Sequence, residues 1–362
     1  MNFPRLTFLV HGRADSIEAV RARGLTQQYP PEKLRFLFRE TTRAATAKLW
    51  REDLRAHPPE LLYLVNTALP GVPLALEKKF LKKIPFLLDT GDVIYEMARA
   101  SGINAGWRLP LLRVTETLAQ RHARAVIVRG TRHREHLQAQ GLRDVSVIRD
   151  GYLPAPPPAP AELAALRKRL GFRDEFIVGV MGSLVFSPRL EICYGWDLIR
   201  ALTELRDLPV RGLIIGDGPG RPWLENLAYK CGVRDHLVFT GRIPYHEVPL
   251  HLRLMDIALS TQTNNLPGQV RTTGKLPEYL AAERFILATR VGEAALVLPD
   301  AMLLDYAGAV DPTYPHRLAT RIRALIREPQ TLALRHQLPA LAEKLFSYKT
   351  LSTQFNELIA TL

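Results

Sequence analysis

Short apolar runs recur along the chain with helical periodicity between them. The first is Leu6 to Val10, five apolar residues followed by His11-Gly12-Arg13 and then Asp15 and Ser16, either of which can cap a helix running through Arg23. Further runs at 34–39, 61–65, 85–89, 125–128 and 145–148 make six predicted strands in the first part of the chain. Strands that alternate with helices predict a parallel sheet covered on both faces. From Asp150 to Pro160 the chain reads Asp-Gly-Tyr-Leu-Pro-Ala-Pro-Pro-Pro-Ala-Pro. Proline removes donors and fixes φ, so this run predicts a stiff connection. The alternation then resumes, with strands expected at 176–181, 211–215, 237–240, 256–260, 285–289 and 301–305 and amphipathic helices at about 314–326, 330–345 and 347–361.

The fold class is therefore α/β, with two doubly wound halves that leave a cleft between the carboxyl ends of their sheets, where ligands of such sheets bind. The expected divisions are a first domain over 1–152, a linker over 153–170, a second domain over 171–345 and a terminal helix over 346–362. Its 362 residues give each half enough chain for a core, and 47% hydrophobic with 23% charged residues excludes a fibrous or disordered chain.

Charge adds an asymmetry. Lys plus Arg number 49 against 36 Asp plus Glu, a net +13. Residues 1–150 hold 25 of those cations and 15 of the acids, or +10, which leaves +3 for the rest. Such a first half favours anionic partners, among them a phospholipid surface, a lipid-linked phosphate or an acidic glycan, although its Arg residues are dispersed as on ordinary solvated helix faces. Residues 70–84 form a basic amphipathic segment suited to lie on an anionic membrane or to serve as a solvated surface helix. No nucleic-acid motif accompanies the charge. Cys193 and Cys231 make no disulfide framework, no Cys/His cluster has zinc spacing, and no apolar run approaches the roughly 18 to 20 residues of a spanning helix. The expectation is a cytoplasmic protein without metal or cofactor, peripheral at most to the inner membrane face.

Candidate chemistry concentrates between Thr261 and Glu293. The loop Asn264–Thr273, rich in amides and turn formers, empties into a helix start at Thr273 and Gly274, where Thr272 or Thr273 can cap the first turn. Arg271 and Lys275 flank that end with positive charge and Glu278 follows one turn later. A diphosphate would find backbone donors and two cations there, and a ribose a carboxylate; a simple Lys275–Glu278 ion pair is the plainer alternative. Gly182, at the end of a strand, lets main chain approach a phosphate. Ile214-Ile215-Gly216-Asp217-Gly218 reads as strand and tight turn. Asp89 and Asp92 leave a strand end facing the cleft, and Asp92 can cap the next helix, contact sugar hydroxyls or ligate a metal. No Asp-x-Asp triplet occurs.

The run Gly274-Lys275-Leu276-Pro277-Glu278-Tyr279-Leu280-Ala281-Ala282, with Phe285 to Thr289 and Val291-Gly292-Glu293 after it, resembles the donor-nucleotide segment of retaining glycosyltransferases of the GT-B fold, glycosyltransferase family 4. The resemblance implies a helix crossing back to the first domain from Leu345-Phe346-Ser347-Tyr348. It implies that Glu278 binds the nucleotide ribose, that Ile243 meets the base through its main chain, and that Gly182, Ser183, Thr273, Gly274 and Leu276 line the donor site. Arg271, Lys275 and Asp92 are the candidates for catalysis, and His11, Gly12, Arg13 and Asp89 for the acceptor side. Where the family usually has Glu, Arg and Lys, this chain has Val270, Ser183 and Tyr194, and Arg189 is the candidate to restore one charge. The implied function is metal-independent, retaining transfer from a nucleotide diphosphate sugar to a glycan, lipid-linked or small-molecule acceptor, the leaving phosphate itself taking the acceptor proton. The alternatives are a sugar-nucleotide epimerase on the same plan and a binding protein without turnover.

Overall fold

The computed structural model describes residues 3–102 and 106–362. In the first lobe β1 (Leu6–Val10), β2 (Leu34–Leu37), β3 (Leu61–Val65), β4 (Phe86–Thr90), β5 (Ala125–Val128) and β6 (Val145–Val147) form one parallel sheet in the order β2-β1-β3-β4-β5-β6. The second lobe contains β7 (Phe176–Met181), a two-residue antiparallel pair β8 (Phe186–Ser187) and β9 (Ile192–Cys193), and β10 (Val210–Ile215), β11 (Leu237–Gly241), β12 (Ile257–Ser260), β13 (Phe285–Thr289) and β14 (Leu303–Leu304). Its six-stranded parallel sheet has the order β11-β10-β7-β12-β13-β14. This is the α/β architecture of the GT-B class. Central strands such as β1, β3 and β13 are buried along their whole length, as residues covered on both faces must be.

Each sheet reverses its winding once, between β1 and β3 and between β7 and β12. The loops after these strands diverge at the reversal and leave a crevice outside the carboxyl ends. Gly182 and the segment from Thr261 both sit at that point of the second sheet.

Local signals explain most element ends. Ser16, not Asp15, caps the first helix by accepting from the Ala19 amide at 3.2 Å. The expected strand at 301–305 shrinks to Leu303–Leu304, because Asp300–Met302 take a 3-10 turn. The helix expected over 330–345 divides into a 3-10 stretch, Pro329–Gln337, and an α-helix, Leu338–Phe346. Pro339 lies in the first turn of the latter, where its missing N–H costs nothing. The connection expected over 153–170 is irregular only to Ala159. A helix, Pro160–Arg169, then packs Leu166 into the second core. The basic segment at 70–84 forms the helix Gly71–Lys82, and it does not lie free on the surface. Val72, Leu74, Ala75 and even Lys78 are buried, and apart from Pro73 only its last turn is exposed.

The last helix, Tyr348–Ala360, returns to the first lobe, where Tyr348, Leu351, Phe355 and Ile359 complete the core on one face of the first sheet. Leu338, Ala342 and Phe346, one helix earlier, belong to the second core. The chain crosses at Ser347, whose backbone pairs with Tyr152.

Asp89 does not face the cleft. It is wholly buried, accepting from Arg21 Nε at 2.7 Å, from Arg21 Nη2 at 3.2 Å and from the Tyr63 hydroxyl at 2.9 Å, with Arg129 at 3.6 Å. Arg21 also donates to the carbonyls of Ile148 and Arg149. The acceptor-side role expected of Asp89 gives way to a structural one: burial is offset by two guanidinium groups that hold its carboxyl below the usual range. Asp89→Ala leaves Arg21 without its main partner in the interior and takes from Arg129 one of its two carboxylates, Asp150 being the other. It is expected to cost about 3 to 5 kcal/mol, read from urea unfolding curves.

Candidate functional site

The second lobe builds a floor of close backbone contacts under the crevice. Gly182 N–H donates to the Ile215 carbonyl at 3.0 Å and Leu184 N–H to the Asp217 carbonyl at 3.1 Å. Gly216, with φ +128°, lies so close that a Cβ there would stand 2.0 Å from the Gly182 oxygen. Only glycine fits. The turn Gly216-Asp217-Gly218 therefore braces the loop after β7. Ser183 is exposed on that loop.

The helix Lys275–Ala281 starts beside this floor. Neither threonine caps it with a side chain. Instead the Thr272 hydroxyl donates to the Arg129 carbonyl of the first lobe at 3.0 Å. Gly274, where an added Cβ would meet nothing within 4 Å, faces open space. Lys275 turns its ammonium over the ring of Tyr194, 3.4 Å from the centroid, a cation–π arrangement. The same Nζ is 3.6 Å from where a Cβ of Gly182 would lie. Burial and the neighbouring Arg271 lower its pKa to about 7, against the pull of buried Asp197. Tyr194 is itself held by donating to the Leu259 carbonyl at 2.8 Å.

Glu278 is 7% exposed and accepts a short hydrogen bond from the Tyr245 hydroxyl. Burial raises its pKa to about 7 and the Tyr245 bond partly opposes the rise. Lys275 and Glu278 thus have separate partners and do not form the ion pair that their spacing allows. Leu276 is buried and Thr273 is half-buried beside Gly274. Ile243 packs on the edge of the second core, two residues before Tyr245.

Several expected site residues connect the two lobes. Arg271 meets Asp92 across the cleft at 3.3 Å. Asp92 does not cap the helix Ile94–Ser101; buried Glu116 takes that place, accepting from the Ile94 and Tyr95 amides at 2.8 and 3.1 Å. Arg189 turns away from the donor side. Its guanidinium donates to the Arg99 carbonyl at 2.9 Å and its amide to the Ser101 carbonyl at 3.2 Å, so it restores no charge near Ser183. On the first lobe, Gly12 is pressed onto Ser16, whose Oγ would be 2.0 Å from an added Cβ, and Arg13 is exposed. His11 is half-buried, with Nδ1 unpartnered among the described residues and its pKa lowered by burial and by Arg39.

Sequence reasoning missed three participants. Tyr245 and Tyr194 carry no motif that marks them as supports for Glu278 and Lys275. Glu293, read only as part of a strand-and-glycine run, is 3% exposed and crosses the cleft, accepting from the Thr131 amide at 2.8 Å and from Arg149 Nε at 2.7 Å. The amide lies at the start of the helix Thr131–Ala139, where a carboxylate is favoured.

Residues 176–328 match the model of the family described as glycosyl transferases group 1. Over those residues the second lobe is similar to that family. Relatives include a 2-deoxystreptamine glucosyltransferase of Streptomyces kanamyceticus, 28% identical over 68% of this chain and 60% of that protein. A GDP-mannose-dependent alpha-(1-6)-phosphatidylinositol monomannoside mannosyltransferase of Mycolicibacterium smegmatis is 34% identical over 49% of this chain and 45% of that one. The chain thus spans less than two thirds of either relative. Among solved structures, Anabaena Alr3699/HepE in complex with UDP-glucose superposes with a TM-score of 0.76 over 99% of both chains, at 18% identity.

Within this family frame the departures acquire a structural meaning. Val270 is buried as an apolar residue. Tyr194 supplies a ring instead of an ammonium, and Lys275 fills the space above it. Tyr245→Phe removes the bond that restrains Glu278, so the carboxyl should titrate above about 7, a shift visible in NMR spectra of glutamate labelled with ¹³C at the carboxyl carbon.

Proposed function

We propose that the protein moves a sugar from a nucleotide diphosphate sugar to an acceptor held by the first lobe, with retention and without a metal ion. The observation that carries this is the pairing of a partly buried Lys275 ammonium, free of any carboxylate contact among the described residues, with the buried Glu278 carboxylate on one short helix beside the crevice. The separation of one turn suits a diphosphate at one end and a ribose at the other. In this reading Lys275, Arg271 and the donors around Gly274 stabilise the negative charge that grows on the diphosphate as the anomeric C–O bond breaks. A bound diphosphate also competes with Asp92 for Arg271. The leaving phosphate oxygen takes the proton of the acceptor hydroxyl on the face it departs from, so no separate base is invoked. Sugar-nucleotide-dependent names among the relatives and UDP-glucose in a neighbour of the same fold support this class of donor. The acceptor classes considered are a glycan, a lipid-linked species or a small molecule.

Thermal stabilisation by a panel of nucleoside diphosphates, followed by product analysis with the matching nucleotide sugar, tests the proposal. Transfer to an acceptor supports it. Epimerised donor in the absence of acceptor, or tight binding with neither hydrolysis nor transfer, would overturn it.

Glu278→Ala is expected to weaken the donor about 10-fold to 100-fold, on the scale of a charged hydrogen bond, in the Michaelis constant or by calorimetry. Lys275→Ala is expected to lower turnover by about 100-fold or more.

The pH dependence has a definite sign. Lys275 holds an anion only when protonated, and its pKa in the unliganded protein is about 7. Binding a diphosphate therefore takes up a proton above that pH, and affinity for UDP should fall by up to about tenfold per pH unit there. Lys275→Arg, charged throughout, should flatten that limb of the calorimetric profile.

A further inference from the structure

Trp107, which precedes the first-lobe helix Arg108–His122, begins a row of exposed apolar residues continued by Leu111, Val114 and Leu118. Steps of four, three and four residues place these side chains within about 60° of arc on one helical face. The row does not stop at the helix end. His122 contacts the ring of Phe80 at 5.1 Å, and Phe80 and Leu81 form the exposed last turn of the helix Gly71–Lys82. Six of the twelve exposed large apolar residues among those described lie on this one surface, with Trp107 and Leu81 each more than 70% exposed. A contiguous patch of this kind marks an interaction site.

Cations surround it. Lys82, Lys83, Arg108, Arg113 and Arg121 are exposed, and among the described residues no carboxylate pairs with any of them. The only acid of the helix, Glu116, is buried and bound to the Ile94 and Tyr95 amides.

We propose that this face seats the first lobe on an anionic lipid bilayer, the apolar row entering the headgroup boundary and the five cations meeting lipid phosphates. Apolar residues alone would fit a protein partner equally well. The ring of unpaired cations selects an anionic surface, and packing two copies face to face would set like charges against each other. The surface is formed mainly by the helix Arg108–His122, with residues 70–84 contributing only their last turn. The inference does not rest on glycosyl transfer.

The test uses the full chain with phosphatidylcholine vesicles and with vesicles in which about a quarter of the lipid is phosphatidylglycerol. Sedimentation with the anionic vesicles only, weakened by added salt, is expected, together with a blue shift of tryptophan emission that Trp107→Phe abolishes while binding persists. Leu111→Ser with Leu118→Ser should lower partition about tenfold or more while the circular dichroism spectrum and cooperative thermal melting are retained, which shows that the variant folds. Three results would overturn the proposal: no partition into anionic vesicles, partition that the double variant leaves intact, or self-association of the free chain that the same variant removes.

Discussion

Parallel strands must be joined by crossovers, so all the loops that follow the strands of one sheet emerge along one edge. Everything else in the molecule depends on that constraint. Where the winding reverses, between β7 and β12, two such loops part and leave room that neither would provide alone. The short helix bearing Lys275 and Glu278 stands at this gap because β12 ends there, and the glycine contacts among Gly182, Gly216 and Gly218 keep the floor thin enough for main chain to line it. The reversal between β1 and β3 in the first sheet brings His11 to Arg13 to the corresponding edge of the other lobe.

Within that gap the protein leaves charge only partly satisfied. Lys275 rests on an aromatic face, and Glu278 has a single hydroxyl donor in place of a cation. Desolvation pulls the two pKa values together near 7 from opposite directions. Groups in this condition interact strongly with a ligand of complementary charge, because much of their water has already been removed. Asp89 is the contrast. It is more deeply buried than either, but Arg21, Arg129 and Tyr63 satisfy it, and it serves the fold.

The lobes are tied by small numbers of polar contacts and one helix. Glu293 spans to Thr131 and Arg149, Thr272 to Arg129, Arg189 to the end of the helix Ile94–Ser101, and Arg271 to Asp92. Most of these side chains come from loops that also border the crevice. Ligand binding and the relation between the lobes therefore share residues, and Arg271, with both Asp92 and the crevice within reach, belongs to both. The helix Tyr348–Ala360 differs in kind, since it adds apolar side chains to the core of the first lobe and holds the two halves whatever the crevice contains.

Periodicity and proline by themselves determined the α/β class and the twelve main strands within a few residues, whereas the return of the terminal helix was implied only by the resemblance to the GT-B fold. The class and the strands follow from local patterns that burial on one or both faces imposes. The Gly274–Glu278 helix was legible for the same reason, its turn formers, cations and carboxylate being close in sequence. Only the tertiary structure decided which charges were spent internally. Asp89 and Asp92 stand three positions apart, but Asp89, within β4, lies under Arg21 and Asp92, two residues past the carboxyl end of that strand, opens toward Arg271, a difference of burial that spacing does not encode. Arg189 reaches the first lobe, Tyr194 supports Lys275 and Glu293 caps a helix from the other domain because residues from 81 to 162 positions apart meet in the fold, and a side chain's partner at that range is set by packing.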